Sequence, residues 1–165
     1  MRTLIQSELP CDADDAWRRV QTLELLREVC WPLITLRPAA GATSLPAQWQ
    51  AGESVVMRPR LFGLIPLGAR VLYWERIDST AREMQTREHD PLIRRWDHRI
   101  HIEPLGAGAC RYTDDVEVSA GVLTLPVWLF TQWFYRHRQR RWRRVARRIG
   151  HAQADAGASP VRNYV

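Results

Sequence analysis

A chain of 165 residues with 45% hydrophobic content is long enough to bury one real core and short enough to be a single domain. Its formal charge of +6 is uneven: all 24 basic residues are Arg, fifteen of them against seventeen acids before Gly121 and nine against one acid from there on. Three scattered cysteines (Cys11, Cys30 and Cys110), no His or Cys pairs at ligand spacing and no apolar run near the roughly 20 residues a bilayer needs exclude a disulfide framework, a structural zinc site and a spanning helix, and they predict a cytoplasmic chain without a signal peptide.

Taken in order, Thr3 to Leu9 alternates as a first strand, which Pro10 ends. Asp12 or Asp14 caps a helix with Trp17, Val20 and Leu23 on one side, and Leu25 to Cys30 gives a second short helix before Trp31-Pro32. Leu33 to Leu36 predicts a brief strand, and Arg37 to Pro46, rich in Ala, Gly, Ser and Pro, a loop. Five further strands follow, over Ser54 to Phe62, Ala69 to Asp78, Arg82 to His89, Arg94 to Glu103 and Cys110 to Ala120. Gly63 to Gly68 is a tight apolar connection between the first two, and Leu105 to Ala109 a hairpin loop between the last two. Glu75 and Glu88 either look inward with Tyr73 and Met84 as ligand-facing carboxylates or, the favoured expectation, are solvated strand residues.

Gly121 to Ile149 then reads as one helix of about 40 Å. Pro126 is tolerable in its first turn, and nothing breaks it until Gly150. Val127, Thr131, Phe134, Tyr135, Trp142, Val145, Ala146 and Ile149 form one stripe, with Arg138 the single cation inside it. Arg136, Arg140, Arg143 and Arg147 gather on the opposite side with Leu129 and Trp133. Trp17, Trp74, Trp96 and Trp142 are expected in the core. The order of elements gives an α+β fold in which a curved antiparallel sheet wraps around the last helix, and a sheet wider than the helix leaves a cavity between them. Residues 1–150 are expected to form that domain and 151–165 a loosely ordered tail.

Several local features resemble the START-like (SRPBCC, pollen-allergen-like) superfamily and its polyketide cyclase/dehydrase-like branch. They are the first strand leading to Ala16-Trp17, Trp49-Gln50-Ala51-Gly52, Leu61-Phe62-Gly63-Leu64-Ile65-Pro66, Trp96-Asp97-His98-Arg99-Ile100 and Tyr112-Thr113-Asp114-Asp115-Val116-Glu117-Val118. The resemblance covers most of residues 1–149. It implies a helix-grip fold with a cavity for an apolar small molecule, in a superfamily that runs from lipid carriers and hormone receptors to aromatase/cyclases. It carries over no complete catalytic signature.

Strand parity turns Trp96, His98, Ile100, Tyr112 and Asp114 inward. If Ile102 faces Cys110, then Ile100 faces Tyr112 and His98 faces Asp114, beneath a helix carrying Phe134 and Arg138. These seven residues are the expected ligand-binding set. His98 and Asp114 are also the candidate catalytic pair, with His98 as acid or base in a cyclase- or dehydratase-type reaction. The competing expectation is a buried network in which Arg138, Asp114, His98 and Tyr112 satisfy one another. No metal and no cofactor is expected.

The expected partner is a small apolar, lipid- or polyketide-like molecule. A peripheral membrane or lipid-transfer role is the alternative, with Trp133, Arg136, Arg140 and Arg147 meeting an anionic bilayer. Bland alternatives for that face are solvation, pairing with acids such as Asp12, Asp14 and Asp15, or a homodimer through Leu129 and Trp133. The slightly acidic body argues against nucleic acid.

Overall fold

The computed structural model describes residues 1–39 and 46–157, with side chains for all of these but 151–157. Most of the predicted loop from Arg37 to Pro46, and the end of the predicted tail, lie outside the described residues.

The first strand, β1 (Arg2–Leu9), leads into helix α1 (Ala13–Val20), which buries Ala13, Ala16, Trp17 and Val20, one face at helical spacing. Asp12 stands at the N-cap, but its carboxylate accepts from the Gly108 backbone N–H at 2.7 Å instead of from the helix. Thr22 starts a separate helix, α2 (Leu23–Cys30), by accepting from the Leu25 N–H at 3.2 Å. Leu23 therefore belongs to α2, not to the end of α1. The remaining strands are β2 (Ile34–Pro38), β3 (Ser54–Leu61), β4 (Ile65–Pro66), β5 (Arg70–Asp78), β6 (Glu83–His89), β7 (Arg95–Gly106) and β8 (Ala109–Ser119). They form one antiparallel sheet in the order β1-β8-β7-β6-β5-β3-β2, with β4, inside the predicted apolar connection, pairing β3.

The β7–β8 hairpin corrects the expected register by two residues. Ile102 pairs with Tyr112, Ile100 with Asp114 and His98 with Val116, because the strands run on past Pro104 and only Ala107 and Gly108 remain between them. An irregularity between Pro104 and Gly106 accommodates the proline, which has no N–H for the ladder. A two-residue shift preserves the faces, so the predicted inward set still points inward. The two glutamates differ. Glu75 and Tyr73 face out while Leu72 and Trp74 are buried, whereas Glu88 on β6 shares the inward parity of Met84.

A 3₁₀ turn (Gly121–Leu123) opens helix α3 (Thr124–Gly157), 34 residues long. It does not stop at Gly150, so the predicted loose tail is helical as far as Gly157. Gly150 is needed there for a different reason: a Cβ on it would lie 2.4 Å from the Pro10 carbonyl oxygen. The helix buries Thr131, Phe134, Tyr135, Arg138, Gln139, Trp142, Val145 and Ala146, which is the predicted stripe with Gln139 added and with Val127 and Ile149 at its two ends only partly buried. Trp133, Arg136, Arg140, Arg143 and Arg147 are exposed. Pairing of this face with Asp12, Asp14 and Asp15 is not formed: Asp14 pairs with Arg82 and Asp15 with Arg18, and among the described residues the one α3 ion pair is Arg148 with Glu28.

Helix α3 packs on β1 and β8 and against α2. It therefore covers one side of the curled sheet. The strands at the other side, β5, β3 and β2, face it across a gap. No helix among the described residues is long and apolar enough to cross a membrane.

Candidate functional site

That gap is a cavity of about 570 Å³. Its walls are Ile34 and Leu36 of β2, Met57, Pro59 and Leu61 of β3, Leu72 of β5, Leu26 and Cys30 of α2, and Val127, Phe130, Phe134 and Tyr135 of α3. Trp96, Arg70, Glu88, Asp90 and Arg138 supply its polar edge. Leu67, Leu92 and Leu123, which are 41%, 59% and 39% exposed, place its mouth between the β4–β5 connection and the start of α3. Alternation along β3, with Met57 and Pro59 inward and Arg58 and Arg60 outward, makes the far wall apolar.

A second cavity of about 50 Å³ lies deeper, under α1 and α2. His98, Ile100, Tyr112, Asp114, Trp74 and Trp142 are among its lining residues. Trp49 stacks on Trp74 there, with ring centroids 4.3 Å apart. The seven predicted ligand residues are thus divided: Trp96 and Phe134 line the large cavity, His98, Ile100, Tyr112 and Asp114 the small one, and Arg138 both.

The small cavity is built around Asp114, which has no exposure at all. His98 Nε2 lies 2.7 Å from Asp114 Oδ1, and the Tyr112 hydroxyl donates to the same oxygen at 3.0 Å. Gln139 Nε2 donates to Oδ2 at 3.0 Å and to the Ile5 carbonyl at 2.7 Å, so it ties α3 to β1 and β8 together. Burial pushes the Asp114 carboxyl up, but the hydrogen bond from His98, the nearby Arg138 charge and the Gln139 amide outweigh it and hold the group below its ordinary value. An ionised carboxylate only accepts, so the Nε2 of His98 carries the hydrogen. His98 and Asp114 meet diagonally across the ladder, not as directly opposed residues.

Arg138 does not join this network, contrary to the expected fourfold arrangement. Among the described residues no carboxylate comes within ion-pairing distance of it, and its Nε is buried without a hydrogen-bond partner. Gln139, one residue further on, takes the place expected for Arg138. Its signal was legible: Gln139 follows Tyr135 by four residues and precedes Trp142 by three, so it belongs to the inward stripe despite being polar. The guanidinium lies instead against the faces of Tyr135 and Phe134, at 4.8 and 5.9 Å from their ring centroids. The Tyr135 hydroxyl accepts from Trp96 Nε1 at 3.1 Å, which aligns these rings along the wall of the large cavity.

Residues 7–146 match the family described as Domain of unknown function (DUF8410). The chain belongs to this family. No curated protein matches the sequence. The DUF8410 domain described here is similar in structure to a START superfamily protein from Mycobacterium smegmatis, with 14% sequence identity and a TM-score of 0.65 over 90% of this chain and 98% of that one. An aromatase/cyclase from a Streptomyces species gives 10% identity and a TM-score of 0.65 over 90% of this chain and 94% of that one. Norcoclaurine synthase from Thalictrum flavum, solved in complex with dopamine and hydroxybenzaldehyde, gives 12% and 0.62 over 88% and 85%. The fold of this DUF8410 member is accordingly the START-like helix-grip fold, as the sequence resemblance implied.

Proposed function

We propose that this protein binds a small apolar molecule in the cavity between α3 and the strands β2, β3 and β5. The carrying observation is that cavity's 570 Å³ of mostly apolar space, a size suited to one ligand and too large to be a packing defect. The likeness in fold to a synthase solved with two aromatic molecules supports the same reading. Acid or base catalysis by His98 has less support. Its own cavity of about 50 Å³ has room for a few waters at about 10–15 Å³ each, not for a substrate. Protein purified under native conditions is expected to release a near-stoichiometric apolar compound into a solvent extract, read by mass spectrometry, or, once stripped, to bind anilinonaphthalene sulfonate saturably at one site. An empty extract together with no saturable dye binding removes this reading.

A second reading, carriage of that molecule to or from a bilayer, is favoured by the rim of the mouth. Phe62, Leu64 and Ile65 are 54%, 78% and 55% exposed beside it, and Leu129 and Trp133 are exposed on α3. Arg37 and Arg58 face each other across β2 and β3 on the outer side of the same edge. Apolar tips among cations suit an anionic membrane surface. The protein is expected to sediment with phosphatidylglycerol vesicles at low salt and much less with phosphatidylcholine vesicles, and Leu64→Glu or joint charge reversal at Arg136, Arg140 and Arg147 should weaken that binding. Failure to sediment at low salt removes the membrane, and leaves the cavity reading untouched.

A further inference from the structure

Arg138 is a buried cation with no carboxylate within ion-pairing distance among the described residues, and Asp114 acts on it only from further off. It is only 8% exposed, it lines the large cavity, and its Nε has no partner. Arginine stays protonated in a protein interior, so the charge cannot be relieved by losing a proton. The nearest acids are engaged elsewhere. Asp114 already accepts from His98, Tyr112 and Gln139. Glu88 is 3.7 Å from Arg70 and 3.5 Å from the Thr86 hydroxyl, and Asp90 holds Arg70 at 2.8 Å. The neighbouring thiol offers no anion, since burial pushes Cys30 up to about 11. Burial likewise keeps the Tyr112 and Tyr135 hydroxyls protonated. The guanidinium lies over the ring faces of Tyr135 and Phe134.

We infer that the molecule held in the large cavity is an amphiphile with a carboxylate head, seated on the Arg138 guanidinium, and an apolar body lying along Val127, Phe130, Met57 and Leu72. The inference rests on the ligand-binding reading above and specifies its ligand class. A buried cation is best tolerated when an anion pairs with it directly, and among the described residues no acid reaches this guanidinium, whose Nε is left without a partner. One planar, forked donor matches a carboxylate. The other cation on the wall, Arg70, already serves Glu88 and Asp90, so a phosphate group would find too few donors.

The test compares dodecanoate, methyl dodecanoate and dodecanol by titration calorimetry on the stripped, unmodified chain, which needs no variant to fold. Dodecanoate is expected to bind at least about thirtyfold more tightly than its methyl ester, the discrimination that a buried charge pair gives. Arg138→Met should bring acid and ester to the same affinity, and Arg138→Lys should keep part of the preference. Equal affinity for acid and ester in the unmodified chain overturns the carboxylate and leaves an apolar cavity. No binding of any of the three, with an empty extract and no dye binding, overturns the cavity reading and this inference with it.

Discussion

Replacing Asp114 by Ala is expected to destabilise the protein by about 3–5 kcal/mol, the range for removing one partner of a buried, hydrogen-bonded charge pair. Three donors would be left facing each other in the core: His98 Nε2, the Tyr112 hydroxyl and the Gln139 amide. Each unsatisfied donor carries its own desolvation cost, so the loss exceeds that of a single neutral hydrogen bond. Urea denaturation at neutral pH measures it. A loss below about 1 kcal/mol would mean that the network does not hold α3 to the sheet. The effect has a pH signature. Because the folded Asp114 carboxyl is held below its ordinary value, its contribution is complete above the unfolded pKa of about 4 and declines as pH falls below that, through the lower folded pKa. Wild type should therefore lose stability in that acid range, and the gap between it and Asp114→Ala should narrow there. His98→Ala should likewise lower the melting temperature, an outcome that a purely catalytic histidine would not give.

The second large effect is on binding. Val127→Trp is expected to weaken the cavity's affinity for anilinonaphthalene sulfonate or dodecanoate by at least about 100-fold, or about 2.7 kcal/mol, while changing stability by less than about 1 kcal/mol. Val127 is a half-buried wall residue on α3, and a larger side chain there has open cavity to enter. Overpacking costs stability where a core is already full. Here the same added volume would displace a ligand instead of neighbouring side chains. Unchanged affinity in a normally folded variant would put the binding site elsewhere.

Much of the fold could be read from the chain, because it was written in periodicities that tertiary contacts did not override. The inward stripe of α3 and the inward faces of β7 and β8 are local patterns, and they were recovered even though the hairpin register was not. That register depended on whether Pro104 and Leu105 belong to a strand or a turn, which alternation does not decide. The site was less legible. His98, Tyr112 and Asp114 do converge, as parity required, but they converge in the small cavity. The large cavity draws on Ile34, Met57, Leu61 and Leu72, from strands that the sequence reading treated as scaffold. Which half of a curled sheet the helix covers is set by long-range packing, and no motif records it. Gln139 is inward by position although its polarity suits the surface, and it holds the carboxylate partner expected for Arg138.

The contact between Gly150 and the Pro10 carbonyl fixes how closely α3 approaches the chain beyond β1. Near its far end α3 lies directly on the corner where β1 gives way to α1, too close for any side chain to intervene. At the other end the Thr124 hydroxyl receives the Ala120 N–H at 2.9 Å and donates to the Gly121 carbonyl at 2.7 Å. The first contact sets α3 against another element, whereas the second is made within the turn that opens the helix. At the mouth of the cavity, in the turn from Leu61 to Leu67, Phe62 and Gly63 both adopt positive φ, 51° and 73°. For a phenylalanine that backbone state is uncommon and strained. The turn holds that state because its backbone is tied on both sides, by the Phe62 N–H donating to the Leu33 carbonyl at 2.7 Å and the Leu67 N–H donating to the Pro59 carbonyl at 3.0 Å.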